Sequence, residues 1–144
     1  DGVAAACVLP RNRGLGTVDI ILTSPSGVPS VALLSSVQKN FEAQREICVD
    51  VRVSAPTTVT VPVSVAISIK AGYNYDSVSS RVKAELQRFF NGTLLGKDVL
   101  LAKLGQVVFG VEGVSNYSFS LPSADITVAA NVLPIAGVIS VIRR

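Results

Sequence analysis

The sequence predicts an α+β fold with two or three helices on one face of a sheet, and three observations carry that expectation. Valine, 24 of 144 residues, is spread along the whole chain, and a branched β-carbon suits a pleated surface better than a helix. Several short runs alternate apolar and polar side chains, the period of a half-buried strand. Between them lie stretches whose apolar residues recur at helical spacing. A mass of 15.0 kDa fits one domain with one core. Apolar residues make up 49% and charged residues 16%, which is far from the composition of a disordered chain.

Taken in order, Val3, Ala5, Cys7 and Leu9 alternate in a short first strand over 3–9, which Pro10-Arg11-Asn12-Arg13-Gly14 ends with turn formers. Residues 17–23 form a second strand, with Val18, Ile20 and Leu22 on one side. Ser24-Pro25-Ser26-Gly27 turns the chain, and Ser30 is placed to cap a helix that runs to about Arg45. Its stripe of Leu33, Leu34, Val37 and Phe41 predicts one buried face, with Gln38, Lys39, Glu42 and Gln44 toward water. A strand over 49–55 follows. Ala55-Pro56-Thr57-Thr58 then reads as a tight hairpin.

The returning run carries the cleanest signal. Val59, Val61, Val63, Val65, Ile67 and Ile69 share one face, and Thr60, Pro62, Ser64, Ser68 and Lys70 lie on the other. Pro62 cannot donate to a ladder, so the beginning of this strand is expected at an edge or a bulge. Asp76 or Ser77 can cap a second helix with Val78, Val82, Leu86 and Phe89 or Phe90 inward, stopped by Asn91-Gly92. Asp98 can cap a third, ending near Gly110 and weakened by Gly105. A strand over 115–121 stops at Pro122, and the tail offers short strands at Ile126/Val128 and Val138–Ile142. The order from residue 17 is a split β-α-β (ferredoxin-like) arrangement with one inserted helix. Strands 17–23, 49–55, 59–70 and 115–121 are expected in a single sheet, with the remaining strands peripheral.

Several functions are excluded by composition. No His, Trp or Met is present, which removes Ser-His-Asp and Cys-His catalysis and His-ligated zinc or haem. Two cysteines cannot complete a four-thiolate site, and Cys7 and Cys48 read as reduced thiols. The net charge is +3, but its cations are scattered, the closest groups being Arg11/Arg13, Arg81/Lys83 and Arg143/Arg144. Nucleic-acid binding needs clustered cations and stacking aromatics, so none is expected. No apolar run reaches the roughly 20 residues that span a bilayer, and no membrane association is expected.

The motifs are equally bland. Gly14-Leu15-Gly16 precedes a strand, whereas a phosphate-binding loop opens a helix. Ser24-Pro25-Ser26-Gly27 lacks the lysine of a P-loop. Asp19, Asp50, Asp76, Asp98, Glu85, Glu112 and Asp125 are well separated, and caps or salt bridges account for them; for Asp19 and Asp50 the expected partner is a neighbour such as Arg52. No catalytic residue, cofactor site or metal site is assigned. Two features point to assembly instead. Tyr73 and Tyr75 could form an aromatic contact patch, with a packed loop as the alternative. Ser64 and Ser68 belong to a nearly uncharged strand face that could receive another chain.

The ordered set of Arg13-Gly14-Leu15-Gly16-Thr17-Val18-Asp19-Ile20-Ile21-Leu22, Ser26-Gly27-Val28-Pro29-Ser30 and the amphipathic helix after it resembles the baseplate J family of contractile phage tails, which is also found in prophages and related injection machines. Val51–Pro56, the Val59–Ile69 run, Ala71-Gly72-Tyr73, the helix over 77–90, Leu95-Gly96-Lys97-Asp98-Val99, and Val111-Glu112-Gly113-Val114 leading to Leu121-Pro122 resemble that family's C-terminal half. The resemblance implies a non-enzymatic structural component of the baseplate wedge. Its implied partners are other wedge proteins and further copies of itself, and its implied location is the virion tail, assembled in the bacterial cytoplasm. A chain that opens Asp1-Gly2 and closes Arg143-Arg144 reads as the C-terminal piece of a longer protein. The alternative is a small-molecule-binding or enzymatic α+β domain, which a deep polar pocket would favour. An RNA-binding sheet ranks last, because the 59–70 strand has no aromatic on either face.

Overall fold

In the computed structural model, which describes residues 2–144, the first two strands make a hairpin. β1 (Ala5–Pro10) runs antiparallel to β2 (Thr17–Thr23), with Ala5 opposite Thr23 and Pro10 opposite Val18. The expected first strand is thus a full member of its sheet. Its turn needs left-handed backbone at Arg11, Gly14 and Gly16, and two of these three are glycines, which adopt it without steric cost. Ser24 and Gly27 exchange backbone hydrogen bonds of 2.8 and 2.9 Å, the turn that Pro25 and Gly27 predict.

Helix α1 (Val31–Gln44) is capped as expected, the Leu33 N–H donating to Ser30 Oγ at 3.2 Å. It carries the chain to β3 (Asp50–Ser54), which lies parallel to β2 with Thr17 opposite Asp50 and Ile21 opposite Ser54. Parallel neighbours require such a crossover. Two expectations are corrected here. No residue of α1 is buried: Leu33, Leu34 and Val37 are half-buried and Phe41 is 39% exposed. Gln38, expected in water, turns instead onto β3, where its carboxamide accepts from the Val53 N–H at 2.7 Å and donates to the Val51 carbonyl at 2.8 Å.

The expected single sheet is also corrected. The strands divide into two three-stranded sheets, ordered β1-β2-β3 and β5-β4-β6. β3 does not form a hairpin with β4 (Thr57–Ile69): β2 pairs with one of its edges and the Gln38 side chain of α1 bonds the other. β4 becomes the centre of the second sheet, between β5 (Val114–Leu121) and β6 (Val132–Arg143). Its pairing with β5 begins only at Ser64, opposite Leu121, with a bulge between Ser64 and Val65. Pro62 therefore sits outside that ladder, as its missing N–H demands. The tail strand is longer than its sequence suggests, and Ile126 forms only an isolated bridge with Val99.

The chain gathers into two compact units. One comprises residues to 58 with 91–96 and 129–133, and the other 59–90, 97–128 and 134–144. In the first, Ile20, Ile21, Leu22, Leu94, Leu95 and Leu133 are buried, and the buried Thr23 hydroxyl donates to the Gly92 carbonyl at 2.7 Å. In the second, the apolar face of β4 meets α2 (Tyr75–Phe89) and α3 (Leu101–Phe109). Val61, Val63, Val65 and Ile67 form one cluster with Val78, Val82, Leu86, Leu104 and Val108.

The caps of these helices differ from expectation. Asn74, not Asp76 or Ser77, caps α2, accepting from the Ser77 N–H at 3.2 Å. Asp98 does not cap α3. The first N–H of that helix, at Leu101, donates to Asp125 at 2.7 Å, while Asp98 accepts from the Val128 N–H at 2.9 Å. The two carboxylates lace together segments distant in sequence, a partnership that no local spacing encodes.

Gly105 has a packing role. A β-carbon there would stand 2.1 Å from the Tyr117 hydroxyl oxygen and 2.8 Å from its Cζ, and the Tyr117 ring is flanked by Phe109 and Phe119 with centroids at 6.2 and 5.5 Å. Gly105→Ala should therefore destabilise the chain in urea unfolding, because overpacking costs about 1–3 kcal/mol against a gain of at most about 1 kcal/mol in helix propensity. In a Tyr117→Ala background the same substitution should become stabilising.

Candidate interaction surface

The helices cover only one face of the β5-β4-β6 sheet. On the other face, Ser64, Ala66 and Ser68 of β4 are half-buried, while Asn116 and Ser118 of β5 and Ser140 of β6 are exposed. The register places Ala66 opposite Ser118 and Ser68 opposite Asn116, and side chains directly opposite on a sheet share a face. Leu121, opposite Ser64, is 46% exposed. Val138 and Ile142 alternate with the inward Ile139 and Val141 and are 80% and 48% exposed. The three strands contain one ionisable side chain other than tyrosine, Arg143. This face is therefore small-polar with three exposed aliphatics and little charge, so covering it desolvates few strongly hydrated groups.

The four residues expected at an interface do not form one surface. Ser64 and Ser68 lie on this open face. Tyr73 and Tyr75 pack against the core on the helix side. The Tyr73 ring lies over Gly113, whose φ of +99° and lack of a β-carbon admit it at 2.7 Å from where that carbon would stand. Its hydroxyl donates to Glu112 at 2.7 Å. That hydrogen bond, with the Glu112 charge and burial, holds the phenol above its ordinary pKa of 10.0. The Tyr75 hydroxyl donates to the Val141 carbonyl at 3.3 Å, and Arg143 stands over its ring at 5.9 Å. Both tyrosines are thus packed and half-buried, Tyr73 in the loop and Tyr75 as the first residue of α2. Leu121, Val138 and Ile142 were not among the expected contact residues, although the adjacent apolar pairs Val138-Ile139 and Val141-Ile142 on either side of Ser140 are a signal that both faces of β6 carry apolar residues.

The strand carboxylates are structural. Arg13 donates through Nε to Asp19 at 2.6 Å and through a terminal nitrogen to Asp50 at 2.5 Å. Asn12 donates to the second Asp19 oxygen at 2.7 Å. Arg13 is therefore the ion-pair partner that ties the β1–β2 turn to β2 and β3, and Arg52 acts on Asp19 only through its charge. The Asn12 and Arg13 hydrogen bonds hold the buried Asp19 carboxyl below its ordinary pKa of 3.8, and the hydrogen bonds of Asp50 and Asp19 raise that of Arg13. Cys7 and Cys48 are free thiols.

Between α2 and α3 lies a groove of about 570 Å³ lined by Arg81, Glu85, Arg88, Gln106, Val107 and Glu112 among others. Its carboxylates are engaged, Glu85 with Arg88 at 3.0 Å and Glu112 with Tyr73. Among the described residues no group of three or more Cys, Asp or Glu is placed to hold a metal ion, and no helix is long and apolar enough to cross a membrane.

Residues 61–142, more than half of the chain, match the family described as Baseplate J-like protein C-terminal domain. The chain belongs to that family. The matched region contains most of β4, both α2 and α3, β5 and nearly all of β6, and so the whole open face. The chain is 26% identical over 127 residues to the phage-like element PBSX protein XkdT of Bacillus subtilis (strain 168), a match covering 82% of this chain and 36% of that protein. It thus spans about a third of the curated relative. Its fold is similar to a chain in a cryo-EM structure of the anti-feeding prophage baseplate, with a TM-score of 0.59 and 13% identity over 88% of this chain and 30% of that one.

A carboxylate held ionised by the fold stabilises it only while ionised. Because the folded pKa of Asp19 is depressed, its contribution is present above about pH 4 and is lost as pH falls through the lowered value. Asp19→Asn should lower stability at neutral pH and flatten the acid limb of a urea-midpoint profile taken from pH 7 to 2. An unchanged acid limb would remove Asp19 from the account.

Proposed function

We propose that the protein is a structural component of a contractile phage or prophage tail baseplate, acting through surface contact. The family membership of the region that carries the open sheet face supports this reading. The relative from a phage-like element and the fold shared with a prophage baseplate chain point the same way. Within the reading, Ser64 and Ser68 mark the centre of a contact surface for neighbouring wedge proteins, with Leu121, Val138 and Ile142 as its apolar anchors. Wedge proteins and further copies of this chain are the proposed partners, and the tail baseplate of the virion, assembled in the bacterial cytoplasm, is the proposed location. The chain is proposed to be the C-terminal part of a longer baseplate protein. No catalytic step is assigned, since contact alone accounts for such a component.

Light scattering during size exclusion would test this with the full-length protein, alone and mixed with the product of the neighbouring tail gene. A defined heteromeric complex is expected. Introducing charge with Ala66→Glu should weaken that complex at least tenfold while leaving the circular dichroism spectrum intact, because a buried unpaired carboxylate is costly to desolvate. Full-strength assembly of the Ala66→Glu protein would overturn the assignment of this face.

A further inference from the structure

β3 is one of the two edge strands of its sheet, and an exposed edge is a template on which another strand can add. Here the edge is occupied by side chains of the helix that precedes it. Gln38 bonds the Val51 carbonyl and the Val53 N–H at 2.8 and 2.7 Å, presenting a carbonyl and an N–H as the peptide of a neighbouring strand would. Its second amide hydrogen goes to Glu42 at 2.9 Å, which fixes the orientation of the carboxamide. Arg45 donates to the Val49 carbonyl at 2.6 Å, and the Val49 N–H bonds the Glu46 carbonyl at 3.1 Å. Four of the outward-facing peptide groups, the Val49 N–H and carbonyl, the Val51 carbonyl and the Val53 N–H, are thus bonded without a strand.

We propose that Gln38, assisted by Arg45, is an edge stopper: it mimics the missing strand and prevents β3 from pairing with β3 of a second copy of this chain. The need for one follows from sequence and setting together. β3 carries Val51 and Val53 in alternation, with Val49 just before it, a short strand with high β-propensity. The helix beside it buries no residue, so the side chains, and not a packed helix face, keep the edge closed.

The test uses the chain with Gln38→Ala and with Gln38→Ala/Val53→Pro. Proline at 53 removes the outward N–H that an added strand needs, a substitution that edge strands tolerate. Gln38→Ala should self-associate with rising concentration, its scattering mass climbing to at least twice that of the unsubstituted chain, and the double variant should return to the mass of the unsubstituted chain. In the unsubstituted chain the Val53 amide should exchange at least tenfold more slowly than the Val51 amide, although both point outward. Gln38→Ala that keeps the mass of the unsubstituted chain, association undiminished by Val53→Pro, or equal exchange at Val51 and Val53 would each overturn the proposal.

Discussion

Peptide groups of β3 are engaged on both sides, by β2 in a parallel ladder and by Gln38 of α1, and β4 lies in a separate sheet. β4 is the central strand of that sheet. Its row of valines has to be covered, which α2 and α3 do from one side. No element of the second unit is left to cover its other face with a comparable apolar layer, and the residues there are serine, asparagine and alanine with a few exposed aliphatics.

Much of this was legible from residue patterns, and what was not has a common cause. Ser30, the Val59–Ile69 alternation and the inward Val78, Val82 and Leu86 all act over a turn or two of chain, where spacing carries the information. The exchange of roles between Asp98 and Asp125 depends on segments brought together by folding. So does the choice of Arg13 over Arg52 as the ion-pair partner of Asp19 and Asp50. The Ala55-Pro56-Thr57-Thr58 segment has the local marks of a hairpin, yet β3 and β4 lie in different sheets and Gln38 bonds the β3 edge that a hairpin would use. Gln38 sits on the polar side of a helical wheel, and a wheel cannot distinguish a side chain in water from one bonded to a strand.

The candidate surface shows the same boundary. Strand alternation alone puts Ser64 and Ser68 on the face opposite a buried row. Tyr73 and Tyr75 were suspected on residue type, because aromatics dominate interface energetics. Type does not reveal that Gly113 leaves room for one ring and that Glu112 and the Val141 carbonyl take the two hydroxyls. Val138 and Ile142 are the residues that burial adds. A face with little charge and three exposed aliphatics suits association that proceeds by exclusion of water, with the serines and Asn116 supplying adaptable hydrogen bonds at small desolvation cost.

The central claim is that this face is covered when the protein assembles, and hydroxyl-radical footprinting of the unsubstituted full-length protein measures that directly. Oxidation at Val138 and Ile142 should be high in the isolated protein, as their exposure requires, and should fall severalfold in assembled baseplates. Equal oxidation of both residues in the free and assembled states would contradict the account.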